Sequence, residues 1–145
     1  MKNKKYYHKN PHITIRDKEQ IEHYLSDVKS KVRDDLYRVE RNDKRQENNN
    51  LFLRYVIDKN KVKEILLNLN SEDYSETRPN EHKGYENELL YIFGKTVFLT
   101  ERIGENRVKV PLYIKINNRE KGPVIIISFH KQKFTLKYYF KKEEV

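Results

Sequence analysis

Four side chains able to bind anions or carry protons alternate with apolar residues in two segments near the C-terminus. Tyr113 and Lys115 lie in VKVPLYIKI (108–116), and Ser128 and His130 lie in PVIIISFH (123–130). Successive side chains of a strand point to opposite faces. Val110, Leu112, Ile114 and Ile116 therefore share a face that must be buried, while Lys109, Tyr113 and Lys115 point the other way. In the second segment the same alternation predicts Ile125, Ile127 and Phe129 on one face, with Val124, Ile126, Ser128 and His130 on the other. If helices cover the Leu112/Ile114 and Ile125/Ile127 side, then Tyr113, Lys115, Ser128 and His130 meet on the open side. A histidine titrates near neutrality and can pass a proton. A lysine offers a point charge to a phosphate. The same four residues would also make an ordinary solvated polar face.

Composition narrows the chemistry. Cysteine is absent, so thiol nucleophiles, disulfides and cysteine-based zinc sites are excluded. His8, His12, His23, His82 and His130 show no HExxH or other ligand spacing, so no metal is expected. Only four glycines occur, none in a GxxxxGK or GxGxxG context, and there is no GxSxG elbow. Nucleotide cofactors are therefore not expected, and metal-free acid–base chemistry is the main catalytic route left open. Lys and Arg number 31 against 22 Asp and Glu, a net charge of +9. A field of that sign attracts polyanions, although it would also serve solubility alone.

Positioning such a site falls to elements read along the chain. At 145 residues a single domain is expected, comprising 17–145 behind a basic, aromatic arm over 1–16. The arm carries Tyr6, Tyr7, His8 and His12, and no apolar stretch follows MKNKKYYHKNPH, so no secretory signal and a cytoplasmic location are expected. Ile21, Tyr24, Leu25, Val28 and Val32 recur at helical spacing behind Asp17, a good N-cap, which predicts a helix over about 18–34. A brief strand at 36–39 follows. ERNDKRQENNN (40–50) reads as a solvated loop or an exposed helix start, with the helix ending in Leu51–Val56. Asp58 opens another helix with the stripe Val62, Ile65, Leu66 and Leu69, and Ser71–Asp73 begin one further turn. Residues 75–88, with Pro79 and Gly84 and no periodicity, read as a long loop of the kind that carries function. Strands are expected at 89–99, 108–116 and 123–130, and a fourth from the alternation of Phe134, Leu136, Tyr138 and Phe140. Pro111 cannot donate to a ladder, so it marks an edge or a bulge. Helices first and strands second predict an α+β fold, with N-terminal helices packed on a twisted antiparallel sheet.

The order of segments from the 62–69 stripe onward resembles the MqsR family of bacterial toxins, the RNA-cleaving half of a toxin–antitoxin pair. The resemblance is carried by Leu69 to Tyr74, by Tyr113-Ile114-Lys115-Ile116, and by Ile125 to Phe129 followed by the basic His130 and Lys131. It implies a RelE-like fold and a metal-independent endoribonuclease acting on mRNA, with a cognate antitoxin as protein partner. The family's strand tyrosine falls on Tyr113. Its C-terminal basic residue falls on His130, a change from lysine that keeps acid–base capacity. Its lysine after the Asp-Phe-Tyr motif falls on Glu76, a charge reversal, and Lys83, Arg78 or His82 nearby are candidates to replace that cation. Its glutamine before the first strand has no clean counterpart, with Glu86 and Asn87 nearest.

Metal-free RNA cleavage needs a base for the 2′-OH, an acid for the departing 5′-oxygen, and cations for the phosphorane. The candidate catalytic residues are His130, Tyr113, Glu76 and His82. The candidate phosphate-binding residues are Lys115, Lys83, Arg78, Ser128 and Lys131. KFTLKYYFKK (133–142) and KNKKYYHK (2–9) interleave basic and aromatic residues and would suit stacking bases and tracking phosphates, or would simply be an edge strand and a loose end. A non-catalytic RNA- or partner-binding module on the same fold is the competing expectation.

Overall fold

The computed structural model describes residues 14–85 and 87–140. Glu86 and most of the arm, including Tyr6, Tyr7, His8 and His12, lie outside the described residues, as does the end of the basic tail beyond residue 140. Helix α1 spans Lys18–Arg33 and is opened by Asp17, whose carboxylate accepts the Glu19 N–H at 3.0 Å. Lys31 and Arg33 close it, where cations suit the helix dipole. Strand β1 (Tyr37–Val39), helix α2 (Gln46–Arg54) and strand β2 (Tyr55–Val56) follow. Helix α3 (Lys59–Leu67) starts at Asp58, which accepts from Lys61 N–H at 2.8 Å. A single 3₁₀ turn at Ser71–Asp73, boxed by Asn70 and Asp73, leads into β3 (Tyr74–Pro79). Strands β4 (Leu89–Glu101), β5 (Arg107–Asn117) and β6 (Val124–Lys131) complete the sheet.

The fold is α+β, with the sheet order β1-β6-β5-β4-β2. The long strand β4 pairs with β3 along its first half and with β2 at its end. The sheet is mixed rather than wholly antiparallel, because β1 runs parallel to β6. Those two strands are joined by most of the chain, so no hairpin dictates their direction. One face carries the core. Ile21, Leu25, Val28 and Val32 of α1 and Val62, Ile65 and Leu66 of α3 pack against Phe93, Leu112, Ile114, Ile116, Ile126 and Phe129. Each such side chain contributes roughly 1.5–3 kcal/mol by leaving water. Ile15, at the end of the expected arm, is also buried here, and its N–H donates to Tyr74 Oη at 3.1 Å.

Three further expectations are corrected. Residues 75–88 are not all loop, since Tyr74–Pro79 form β3 along β4. Only Tyr74 and Thr77 of this strand are fully buried, joined by a 2.6 Å hydroxyl contact, so the polar SETR run hid a one-sided strand. Residues 134–140 form no strand. They cross the open face as a strap, bringing Leu136 and the Tyr138 hydroxyl over Gly94 and reaching Tyr74, whose carbonyl accepts the Tyr139 N–H at 3.2 Å. Finally, the pairing of β5 with β6 shifts between Lys115 and Ile116, from Lys115–Ser128 to Ile116–Ile126. The extra residue in β6 is a β-bulge, which resets the alternation. Val124 and Ile126 join Phe129 in the core, while Ile125 and Ile127 turn to the open face and cluster with Leu90. Pro111 behaves as its chemistry requires: Gln132 N–H donates to its carbonyl at 2.8 Å, but β6 has already ended.

Gly94 permits the strap to sit where it does. A Cβ built there would meet Tyr138 Oη, Leu136 Cδ1 and Gln132 Nε2 inside van der Waals distance. These tips are held together, with Gln132 Nε2 donating to Leu112 O at 2.9 Å and lying 3.1 Å from Tyr138 Oη. Gly94→Ala is expected to cost about 1–3 kcal/mol through overpacking and to loosen the strap. A denaturant titration and faster proteolysis after Lys133 or Lys137 would register both effects. An unchanged midpoint would show that the strap yields freely.

Candidate anion-binding and proton-transfer site

On the open face, register alone brings the expected residues together. Tyr113 pairs with His130, and Lys115 pairs with Ser128. Glu76 and Arg78 of β3 pair with Ile92 and Leu90 of β4, which in turn pair with Lys115 and Asn117. Glu76, Arg78, Tyr113, Lys115, Ser128 and His130 thus line one face across four strands, over a floor of Leu90, Ile92 and Ile127. The bulge that displaces Ile125 and Ile127 leaves Ser128 and His130 in place, because it lies just before them. Ser128 is buried beside Lys115, so its hydroxyl is largely shielded from solvent.

Tyr113 and His130 stack, with ring centroids 5.1 Å apart and planes within 10° of parallel. His130 Nδ1 lies 2.9 Å from the Lys131 carbonyl. A carbonyl only accepts, so this contact places the proton on Nδ1 and leaves Nε2 with its lone pair in the neutral ring. Burial raises the Tyr113 phenol above its ordinary 10.0, with Arg78 opposing and Glu76 reinforcing, so it is a protonated donor at neutral pH. Burial lowers the Lys115 ammonium below 10.5, and repulsion from Arg45 and Arg78 lowers it further against the pull of Glu81.

A cavity of about 240 Å³ opens at this end of the face. Arg45, Arg78, Lys115 and His82 line it, with Asn80, Glu81, Leu90 and Ile127. The loop that carries His82 is braced, since Asn80 accepts the His82 N–H and, together with Asn117, donates to the Glu88 carboxylate. Arg45 was not foreseen. It sits in the polar 40–50 stretch, at the N-cap of α2, and its Nε is buried without a hydrogen-bond partner. Three cations around one cavity suit an anion. No signal in the sequence separates Arg45 from Lys44 or Arg41.

Two of the expected residues on this face hold each other, and further ones stand apart. Arg78 is held by Glu76, at 3.1 Å from Nη2. The Glu76 carboxylate is thereby engaged with a cation rather than poised alone as a base. Lys83 is exposed at the loop tip next to Gly84, outside the cavity lining. Lys131 pairs with Leu112 and so belongs to the opposite face of the sheet. Asn87 is exposed in the 80–88 loop. Among the described residues no three His, Asp or Glu side chains converge as a metal-binding group, and no helix is long and apolar enough to cross a membrane.

Burial is also the main cause that holds the His130 imidazolium below its ordinary 6.5. The Lys131 carbonyl and Glu47 pull upward, and Lys133 and Lys115 push down. The unfolded chain therefore binds this proton first as the pH drops. The stability tied to neutral His130 is complete above about pH 6.5 and is lost as pH falls through the lower folded value. Urea midpoints measured from pH 7.5 to 5 are expected to fall less for His130→Gln than for the native chain. Equal slopes would show that the ring is freely hydrated.

No protein-family model, curated protein or solved structure matches this chain.

Proposed function

We propose that the chain is a metal-independent endoribonuclease of the RelE-like, MqsR-like toxin class, cutting single-stranded mRNA by attack of the 2′-OH. The observation that carries this reading is the stacked Tyr113–His130 pair, with an unprotonated Nε2, set beside Lys115 and the Arg45/Arg78 cavity. His130 Nε2 takes the 2′ proton as the 2′-oxygen bonds to phosphorus. Tyr113 donates a hydrogen bond to a non-bridging phosphate oxygen, and Arg78, Arg45 and Lys115 stabilise the charge that builds there. The phosphorus–5′-oxygen bond breaks, and Lys115, an ammonium made more acidic than usual by burial, gives the leaving oxygen its proton. The products are a 2′,3′-cyclic phosphate and a 5′-hydroxyl. A toxin of this class acts in the cytoplasm and is restrained by an antitoxin, a protein partner for the same basic face or for an exposed strand edge.

Incubation of the purified chain with end-labelled RNA in EDTA tests the reading. Cleavage is expected for the native chain, loss for Tyr113→Phe, and none for a DNA strand of the same sequence, which lacks the nucleophile. DNA cleavage would sink the mechanism. A second reading, a binding module without catalysis, draws support from the Glu76–Arg78 ion pair, which spends one carboxylate and one cation on each other. RNA binding that weakens steeply with salt but yields no fragments would favour that module.

A further inference from the structure

A second cavity, of about 620 Å³, lies between β3 and the strap and shares Glu76 and Arg78 with the site just described. That volume falls in the range of small-ligand sites, roughly 300–1,000 Å³. The rest of its lining is Thr14, Ser75 and residues 134–139. Two large rings stand at it in solvent: Phe134 is 66% exposed and Tyr139 is 48% exposed. Tyr139 is fixed in position, by its backbone bond to Tyr74 O and by an edge-on contact with Phe140 at 4.9 Å. The hydroxyls of Thr14, Ser75 and Thr135 supply donors and acceptors at the wall, and Lys137 supplies charge.

Exposed aromatic faces beside hydroxyls and a lysine are the chemistry of base stacking on single-stranded nucleic acid. From this arrangement we infer that the strap cavity is a nucleobase subsite, holding the base of a nucleotide next to the phosphate bound at Arg78. The inference rests on the proposed RNA reading and extends it, making the strap a stacking platform that holds the strand beside the phosphate site. Arg78 is the physical link: it lines both cavities, so a strand whose phosphate meets Arg78 on one side presents its neighbouring base to Phe134 and Tyr139 on the other.

The test uses the full chain and an eight-nucleotide DNA strand carrying 2-aminopurine, which cannot be cut by a 2′-OH mechanism. Binding is expected to quench the fluorophore. Phe134→Ala and Tyr139→Ala are each expected to abolish much of the quenching and weaken binding roughly tenfold. Phe134→Tyr is expected to keep both, and Phe134→Leu, which retains apolar bulk without a ring, to lose both. Unchanged thermal midpoints would confirm that these exposed substitutions leave the fold intact. Absence of binding, binding without quenching, or alanine variants that match the native chain would overturn the subsite. The last pattern would leave the rings to a protein partner. RNA cleavage measured in parallel separates the two claims: quenching without cleavage sinks the nuclease reading alone, and cleavage without quenching sinks the subsite alone.

Discussion

Replacing His130 with alanine is expected to slow RNA cleavage by roughly 10²–10⁴-fold, the usual loss for one proton-transfer group. The fold should survive, because His130 is only partly buried and lies near the end of β6. The size of the effect follows from scarcity. Of the residues that register brings to this face, His130 carries the only imidazole, whose ordinary value lies near neutrality and is lowered here by burial. Burial raises the Tyr113 phenol above its ordinary value and lowers the Lys115 ammonium below its own, and Glu76 is held by Arg78. Tautomer adds to the case, since the 2.9 Å contact from Nδ1 to the Lys131 carbonyl leaves Nε2 as the free acceptor. His130→Gln is the sharper variant, because glutamine keeps a polar side chain of similar reach but takes up no proton. It should be as slow as alanine while binding an uncleavable strand normally. Free imidazole should restore part of the alanine variant's rate and none of the glutamine variant's, as only alanine leaves a gap. If both variants cut at the native rate, His130 is not the base, and attention moves to Glu76.

How much of this was legible depends on which rule governed each residue. Helix α1 was readable from Asp17 and from Ile21, Leu25, Val28 and Val32, because cap and stripe agree. The face shared by Tyr113, Lys115, Ser128 and His130 is also readable, although a bulge breaks the alternation that predicts it. Period-2 alternation placed Ile125 and Ile127 in the core, and the bulge sends both to the open face. A bulge adds one residue without any composition signal inside a run of three isoleucines, so nothing in PVIIISFH announces it. Strand β3 was hidden for a related reason. With Glu76 and Arg78 facing outward and Thr77 inward, no apolar alternation remains to be seen. Phe134 to Phe140 erred the other way, for real alternation there serves a strap that crosses the sheet rather than a strand that extends it. The gathering of Glu76, Arg78 and Arg45 around Lys115 is long-range, set by how β3 and α2 dock, and no local pattern encodes it.

Asn48→Ala is expected to destabilise the domain by about 2–4 kcal/mol, the cost of stranding two or three buried polar groups at once. Asn48 is the first residue of the NNN run, which reads as a solvated stretch, yet it is only 1% exposed. Its amide bridges three segments. Nδ2 donates to Ile127 O at 3.0 Å and to Glu40 O at 2.9 Å, and Oδ1 accepts the Phe129 N–H at 2.8 Å. The reason lies in the sheet. Strand β1 stops pairing with β6 at Val39–Ile126, so the backbone of Ile127 and Phe129 has no strand beside it on that side. The bulge presents an extra carbonyl there as well. One asparagine supplies the donor and acceptor that a longer β1 would have given. For a domain of this size the loss should lower the melting temperature by about 6–12 °C. Asn48→Asp should do no better, since it keeps the acceptor for Phe129 but loses the donors and buries a charge. Asn50→Ala, at an exposed position of the same run, should fall within about 0.5 kcal/mol of the native chain. Because Asn48 anchors the backbone on either side of Ser128, its alanine variant should also cut RNA more slowly under conditions where it remains folded. Equal melting temperatures for the Asn48 and Asn50 variants would mean that water satisfies these groups, and that the bulge holding Ser128 and His130 needs no support from helix α2.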